Sequence, residues 1–435
     1  MSDVHAQTVA YVAPSQIPPS PPPAKDRGAI KWLRENLFSS VSNGILTVIA
    51  ILVIAYALPA LIQWAFIDAV WKADSLSQCR EIAAANGVEG SFACWAVINE
   101  RFNQFLFGFY PEELYWRPIL TFVLMFGAMA PVLFSSVPRQ TLILSALYPF
   151  VAYWLLWGGP VLPILLAIAG PAVGYAAFRG VEKAMSGDAG ATGMVVGVLV
   201  AIVWWAFVPG LLDTGPGLEP VESAKMGGFM LALIIGVTGI AASLPFGILL
   251  ALGRKSDLIF IKTLSVIFIE FIRGVPLITL LFVASSVLNY FFPPGTALDL
   301  ILRVVIMATL FASAYMAEVI RGGLAALPSG QYEAADSLGL DYWKSMRLII
   351  LPQALKISIP GIVNTFIGLF KDTTLVSVIG LLDPVGIIAP IRADSNWNGI
   401  VWEFYVFVGL FFWVFCFGMS RYSMYLEKKL QTDRR

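Results

Sequence analysis

Apolar residues along this chain gather in runs of about 20, the length at which a helix crosses the hydrocarbon core of a bilayer. The short alternating segments of a membrane β-barrel are not part of the pattern. The expected fold class is therefore an all-α membrane protein with about ten transmembrane helices. Five spans are placed in the N-terminal half, at about Ser42–Phe66, Pro118–Val137, Thr141–Trp157, Val161–Phe178 and Ala191–Leu212. Five more follow, at about Gly228–Leu252, Leu258–Phe291 (interrupted by Gly274 and Pro276), Leu300–Arg321, Pro360–Leu382 and Ile400–Met419.

The charges between the runs orient them. Lys25, Arg27, Lys31 and Arg34 precede the first span, and Arg421, Lys428, Lys429, Arg434 and Arg435 follow the last. Basic flanks stay in the cytoplasm, so both termini are expected there, and the alternation of loops in between closes without contradiction. Residues 1–40 read as a disordered cytoplasmic tail: Pro14–Pro23 is proline-rich and polar, with no apolar core or small-residue cleavage site of a signal peptide. Residues 427–435 form the tail at the other end. A long polar stretch at about 67–115 falls outside and carries Cys79 and Cys94. An oxidising compartment allows the two to pair; the plainer reading is two free thiols.

Composition narrows the chemistry. Of 435 residues, 58% are hydrophobic and 13% charged, against about a quarter charged in soluble domains. Net charge is zero, which leaves no electrostatic footprint for nucleic acid. A single histidine, His5, removes histidine-based metal sites and catalytic dyads, so no metal site and no catalytic residue is assigned. The phosphate-cradling G-x-x-x-x-G-K-[ST] pattern is missing too. The chain is thus expected to bind no cofactor itself, and any ATP-driven motor must be another polypeptide.

The most informative stretch lies between the eighth and ninth spans, QYEAADSLGLDYWKSMRLIILPQALK. Ser329 is placed to cap a short helix holding Glu333, Ala334 and Ala335, and Gly339 to end it in the left-handed conformation. Asp341 can cap a second helix, on which Trp343, Met346 and Ile350 share an apolar face until Pro352 breaks the run. A helix, a sharp turn and a helix, presenting two small residues and one acid, suit a knob that fits a groove in a partner. The pattern by itself fits an amphipathic connector on the membrane surface equally well.

This segment resembles the EAA loop of ABC importer permeases, where the ATP-binding subunit docks. Glu333-Ala334-Ala335, Gly339, Ile349, Leu351 and Pro352 keep the family spacing throughout. FIEFIRGVPLITLLF (268–282), SAYMAEVIRGGL (313–324) and GIVNTFIGLFKDTTLVSVIG (361–380) resemble the polar amino-acid permeases in particular. The long N-terminal half and the ending FCFGMSRYS resemble the permeases for general L-amino acids, or for glutamate, glutamine, aspartate and asparagine. The resemblance implies a five-helix type I permease core at 226–426 with its coupling loop at 328–356, behind an N-terminal extension at 41–225. It also implies a bacterial inner-membrane location. The implied partners are ATP-binding subunits that carry ATP and Mg, a second homologous permease, a periplasmic amino-acid-binding protein and membrane lipid.

Charged residues inside a membrane face a cavity or a partner. Glu270 with Arg273, and Glu318 with Arg321, are each spaced i, i+3, so two intrahelical salt bridges are expected, with a gating or interface role as the alternative. Lys371 and Asp372 differ, because adjacent helical residues point apart. With Asn364, Thr373 and Thr374 they are candidates for the substrate path, Lys371 for a carboxylate and Asp372 for an ammonium. The alternative is bonding to neighbouring helices or a subunit interface. A transporter driven by an ion gradient would leave the EAA spacing without a reason, and an intramembrane enzyme would lack a nucleophile–base motif.

Overall fold

The structure is a computed structural model that describes residues 28–88, 90–185, 190–211, 214–287, 290 and 298–431. It has two compact units, Met1–Val70 with Ile82–Ala93, and Trp71–Glu81 with Cys94–Arg435.

In the first unit, α1 (Gly28–Asn36) folds part of the tail expected to be disordered, and residues 1–27 lie outside the described residues. The Ser40 hydroxyl accepts the Asn43 N–H at 3.2 Å and so caps α2 (Val41–Ile62), which runs on through a π turn at Gln63–Ile67. None of the α2 side chains is buried, and they are apolar nearly all round, as lipid contact on every face requires. The unit closes where Trp64 O accepts the Ala93 N–H at 3.1 Å and Ala93 O accepts that of Val70 at 2.8 Å.

The chain continues through α3 (Leu76–Ala85), α4 (Ala96–Glu100) and α5 (Phe102–Phe107) to α6 (Trp116–Leu133), α7 (Leu142–Trp157), α8 (Val161–Ala184) and α9 (Gly190–Leu211). Next come α10 (Gly228–Arg254), α11 (Ile259–Gly274), α12 (Leu277–Phe282), α13 (Leu300–Ala325), α14 (Ser329–Ser337) and α15 (Tyr342–Ser345). The last are α16 (Leu351–Asp372), α17 (Ile388–Ala393) and α18 (Trp402–Gln431). Two-residue strands β1 (Gly159–Pro160) and β2 (Gly217–Leu218) pair antiparallel and tie the turn after α7 to the loop after α9.

Among the described residues, nine helices are long and apolar enough to cross a membrane, or ten with α11 and α12 counted as one broken span. That break bends by 102° where Gly274 ends one helix and Pro276 stands as the N-cap of the next, ahead of the turns in which a missing N–H would cost a helix bond. The far end of this expected span, and most of the loop after it, lie outside the described residues. The ninth span starts earlier than expected: a continuous helical run extends from Tyr342 to Ile379. Pro352 does not break it: it follows directly on a π turn at Met346–Ile350, where the regular ladder of helix hydrogen bonds is already interrupted.

The stretch at 67–115, polar on average, folds tightly beyond Cys94. Val97 and Phe105 are fully buried, and the Tyr110 hydroxyl donates to Leu156 O at 2.9 Å. Buried Arg117 donates to Glu219 O at 2.6 Å. In this way α6–α9 belong to the same unit as α10–α18.

The centre of that unit is α10, α13 and α16, packed at close range. A Cβ on Gly247 of α10 would fall 2.6 Å from Met316 Cβ, and one on Gly323 of α13 would fall 2.5 Å from Ala354 O. Small residues let the backbones approach where water supplies no drive for helices to associate. One apolar cluster, with Leu231, Ile235, Val304 and Leu369, fills the end where α10 begins. A second, with Ala251, Met316, Ile320, Ile350 and Ala354, fills the end where α10 stops.

Candidate functional site: coupling segment and inner charge cluster

Three groups of residues carry the chemistry, and the fold sets them at different heights along the bundle. The first is the segment after α13. Pro328, not Ser329, takes the N-cap of α14, and no side chain caps it; Ser329 is already helical. Gly339 has φ +66°, a left-handed conformation that glycine adopts without a Cβ clash. The Leu340 N–H reaches Ala335 O at 3.3 Å and that of Gly339 reaches Asp336 O at 2.9 Å. These two bonds are the crossed pair that closes a helix at a left-handed residue. Asp341 then caps α15 by accepting the Lys344 N–H at 2.9 Å, and its carboxylate pairs with Lys344 Nζ at 2.8 Å. The hydrogen bond from the Lys344 side chain, with that from its backbone, holds the Asp341 carboxyl below the usual range.

Within this knob Ala335 is fully buried, whereas Glu333 and Ala334 face outward. Met346 and Ile350 enter the second apolar cluster and Ile349 and Leu351 pack against it. Trp343, placed by its spacing on the same face, is 67% exposed, because a π turn at Met346–Ile350 shifts the phase of the helix. Tyr332 packs on that cluster too, and its hydroxyl lies 2.7 Å from Lys255 Nζ.

The second group lies a few turns further in. The charges expected as two separate pairs form one cluster across three helices. Glu318 on α13 contacts Arg254 at 2.8 Å, Arg321 at 3.0 Å and Arg273 at 3.8 Å. Glu270 on α11 contacts Arg254 at 2.7 Å and Arg273 at 4.0 Å. The Glu270–Arg273 pair is thus the weakest member, and Arg254 of α10 holds both carboxylates. Arg254 reads in the sequence only as a basic flank; its position at the end of a span was the one available signal. The Arg273 guanidinium also lies 5.5 Å from the centre of the Tyr315 ring, near enough for a cation–π contact.

The third group is the pair at the end of α16. Asp372 lines a small crevice with Ile235, Leu281, Val304, Ala308 and Thr373. Among the described residues it is the one carboxylate on a lining that is apolar apart from Thr373. Lys371 and Asn364 are exposed on the helix instead. The hydroxyls of Thr373 and Thr374 donate to Phe370 O and Lys371 O, at 2.7 and 2.9 Å, so their protons are used inside the helix. The fold therefore does not gather the five candidates into one pocket: Asp372 and Thr373 meet the crevice, and the rest do not line it.

At the opposite end of the bundle from the coupling segment, Cys79 and Cys94 are joined in a disulfide. The Cys94 N–H donates to buried Glu403 at 2.9 Å, Arg101 pairs with Asp394, and the Leu76 N–H donates to Asn396 O at 2.8 Å. Asp383 in the same loop is fully buried and accepts the N–H groups of Val385 and Gly386 at 3.1 and 2.9 Å. Burial outweighs those bonds and pushes its carboxyl up to about 6.

Comparison with known proteins fits this arrangement. The family described as binding-protein-dependent transport system inner membrane component matches residues 243–432. The glutamate/glutamine/aspartate/asparagine transport system permease protein BztC of Rhodobacter capsulatus is 54% identical, over 98% of this chain and 99% of that one. This chain belongs to the amino-acid ABC transporter permeases. The inner membrane amino-acid ABC transporter permease protein YhdY of Escherichia coli is 41% identical, over 96% of this permease and 97% of its own length. The probable glutamine ABC transporter permease protein GlnM of Bacillus subtilis is 36% identical, over 48% of this permease and 95% of its own length. A relative of about half the length thus matches about half of this permease, while the first two match it nearly end to end. The permease is a multi-pass membrane protein of an ABC transporter, a class in which import depends on ATP-binding subunits and a binding protein.

Proposed function

We propose that this permease forms one half of the pore through which a bacterial ATP-driven importer carries polar L-amino acids across the inner membrane. Glutamate, glutamine, aspartate and asparagine are the expected substrates. The observation that carries the reading is the coupling segment: Glu333 and Ala334 outward, Ala335 and Ile350 anchored inward, and the turn between the helices fixed by left-handed Gly339. The nearly end-to-end match to BztC, at 54% identity, supports the substrate class.

In this reading both termini are cytoplasmic, the segment at 329–345 docks on an ATP-binding subunit, and ATP and Mg sit on that partner. A second, homologous permease completes the pore, and a periplasmic binding protein delivers the amino acid to the end that bears the disulfide. Closure of the ATP-binding subunits shifts α14, which is packed on the ends of α10, α13 and α16, and so switches access between the two faces. Asp372 is the acceptor for the substrate ammonium, because it is the carboxylate of a crevice that is apolar apart from Thr373. Lys371, Asn364 and Thr374 lie outside that crevice and complete the path only if the partner permease closes against them.

A pull-down of the tagged permease from native membranes tests the assembly. The wild type should bring an ATP-binding subunit and a second permease, and Gly339→Trp should lose the ATP-binding subunit alone. Absence of any ATP-binding subunit with either form would refute ATP-driven import. Asp372→Asn should abolish uptake of labelled glutamate while the complex stays assembled; unchanged uptake would remove Asp372 from the path.

A further inference from the structure

Two consecutive residues at the end of α10 serve two different partners. Arg254 is the last helical residue and Lys255 the cap, whose N–H reaches Ala251 O at 3.3 Å and Leu252 O at 3.1 Å, so the dipeptide is held to the helix. Neighbouring side chains on a helix diverge by about 100°. Arg254 turns inward, to Glu270 at 2.7 Å and Glu318 at 2.8 Å. Lys255 turns to the coupling segment: its ammonium lies 2.7 Å from the Tyr332 hydroxyl and 4.2 Å from the centre of that ring. Tyr332 stands immediately before Glu333, and its hydroxyl also reaches Leu324 O of α13 at 3.5 Å.

We infer that Lys255 and Arg254 are positioning residues for transport, forming a strut through which a displacement of α14 reaches the Glu318 charge cluster. The inference rests on the reading of 329–345 as the coupling segment. The physics favours this route over the others. Gln331 of α14 also bonds Gln353 of α16, at 2.9 Å, but no residue beside Gln353 belongs to the cluster. Among the described ties to α14, the one at the α10 end sits next to a cluster member that spans two other helices. Glu318 is shared by three arginines from α10, α11 and α13. Moving one guanidinium by about 1 Å alters the balance among the other contacts, since the three arginines compete for one carboxylate that is itself only 15% exposed and each attraction weakens with distance. The cluster thus has alternative pairings available, and the strut selects between them. Coupling of this kind requires an element with two discrete arrangements that both sites bias.

The test uses the complete transporter in proteoliposomes, with its ATP-binding subunits, second permease and binding protein. Uptake and ATP hydrolysis are measured together, and the retained ATP-binding subunit is quantified. Lys255 is exposed, so Lys255→Met should leave folding and melting temperature unchanged. The expected result is a full complement of ATP-binding subunit with amino acid moved per ATP reduced about fivefold or more. Lys255→Arg should recover most of the ratio. Arg254→Gln should show the same loss of ratio, which a merely structural defect would not give, because that lowers hydrolysis and uptake alike. A ratio within about twofold of wild type in both Lys255→Met and Arg254→Gln would overturn the inference. So would loss of the ATP-binding subunit in Lys255→Met alone, which would make Lys255 a docking contact. Failure of the wild type to retain that subunit would instead refute the coupling-segment reading, and the strut with it.

Discussion

Removing the charge of Glu318 should destabilise this permease far more than removing that of Arg321, its most exposed partner. Glu318 keeps 15% side-chain exposure and pairs with Arg254 at 2.8 Å, Arg321 at 3.0 Å and Arg273 at 3.8 Å. In Glu318→Gln, three guanidinium groups would face each other with only Glu270 left to offset them. Breaking a buried ion pair by removing one partner costs about 3–5 kcal/mol. The arginines retain 24–47% exposure, so solvent screens part of the loss, and about 2–3 kcal/mol is the expected cost. Arg321→Gln is the control: that side chain is 47% exposed and, among the described residues, forms its ion pair with Glu318, so about 0.5–1 kcal/mol is expected. Reversible unfolding of the purified permease in mixed micelles, followed by tryptophan fluorescence, gives both numbers under one condition. If Glu318→Gln cost no more than Arg321→Gln, the cluster would not be organised around Glu318, and the two-pair pattern legible in the sequence would be the better description.

Cys79→Ser should lower stability by about 3 kcal/mol, the value for a closed loop of roughly this length; treating the wild type with reductant should give the same shift in melting midpoint, and the variant should not respond to reductant. Asp383 predicts a pH dependence of defined sign. Its carboxyl is pushed up from 3.8 to about 6 in the folded protein, so the fold binds a proton that the unfolded chain has released. Stability is then highest below about pH 4 on this group's account and falls as pH rises to about 6, by on the order of 3 kcal/mol. Asp383→Asn should flatten that step in melting temperature across pH 4–7, and an unchanged slope would show that another group sets it.

Much of this permease is written locally in its chain. Runs of about 20 apolar residues specify spanning helices because the bilayer offers the backbone no other partner. The turn at Gly339 and the cap at Asp341 are equally legible, since each depends on one residue and the N–H groups within a turn of it. The motif spacing at 333–352 and the Glu270, Arg273, Glu318 and Arg321 positions marked where the chemistry lies. What local pattern could not decide is how those residues are shared. Pro352 reads as a breaker, yet the helical run continues through it, because the π turn at Met346–Ile350 just before it already interrupts the regular ladder. Trp343 reads as apolar core, yet a π turn rotates it outward. Glu318 reads as half of an intrahelical pair. Only the approach of α10 and α11 to α13, permitted by small residues such as Gly247, brings Arg254 and Arg273 to it. The sequence by itself determined the solvent of each segment and the turns between them, because both follow from short-range chemistry. The tertiary structure decided which charges meet, since a contact between residues far apart in the chain depends on packing that no single stretch contains.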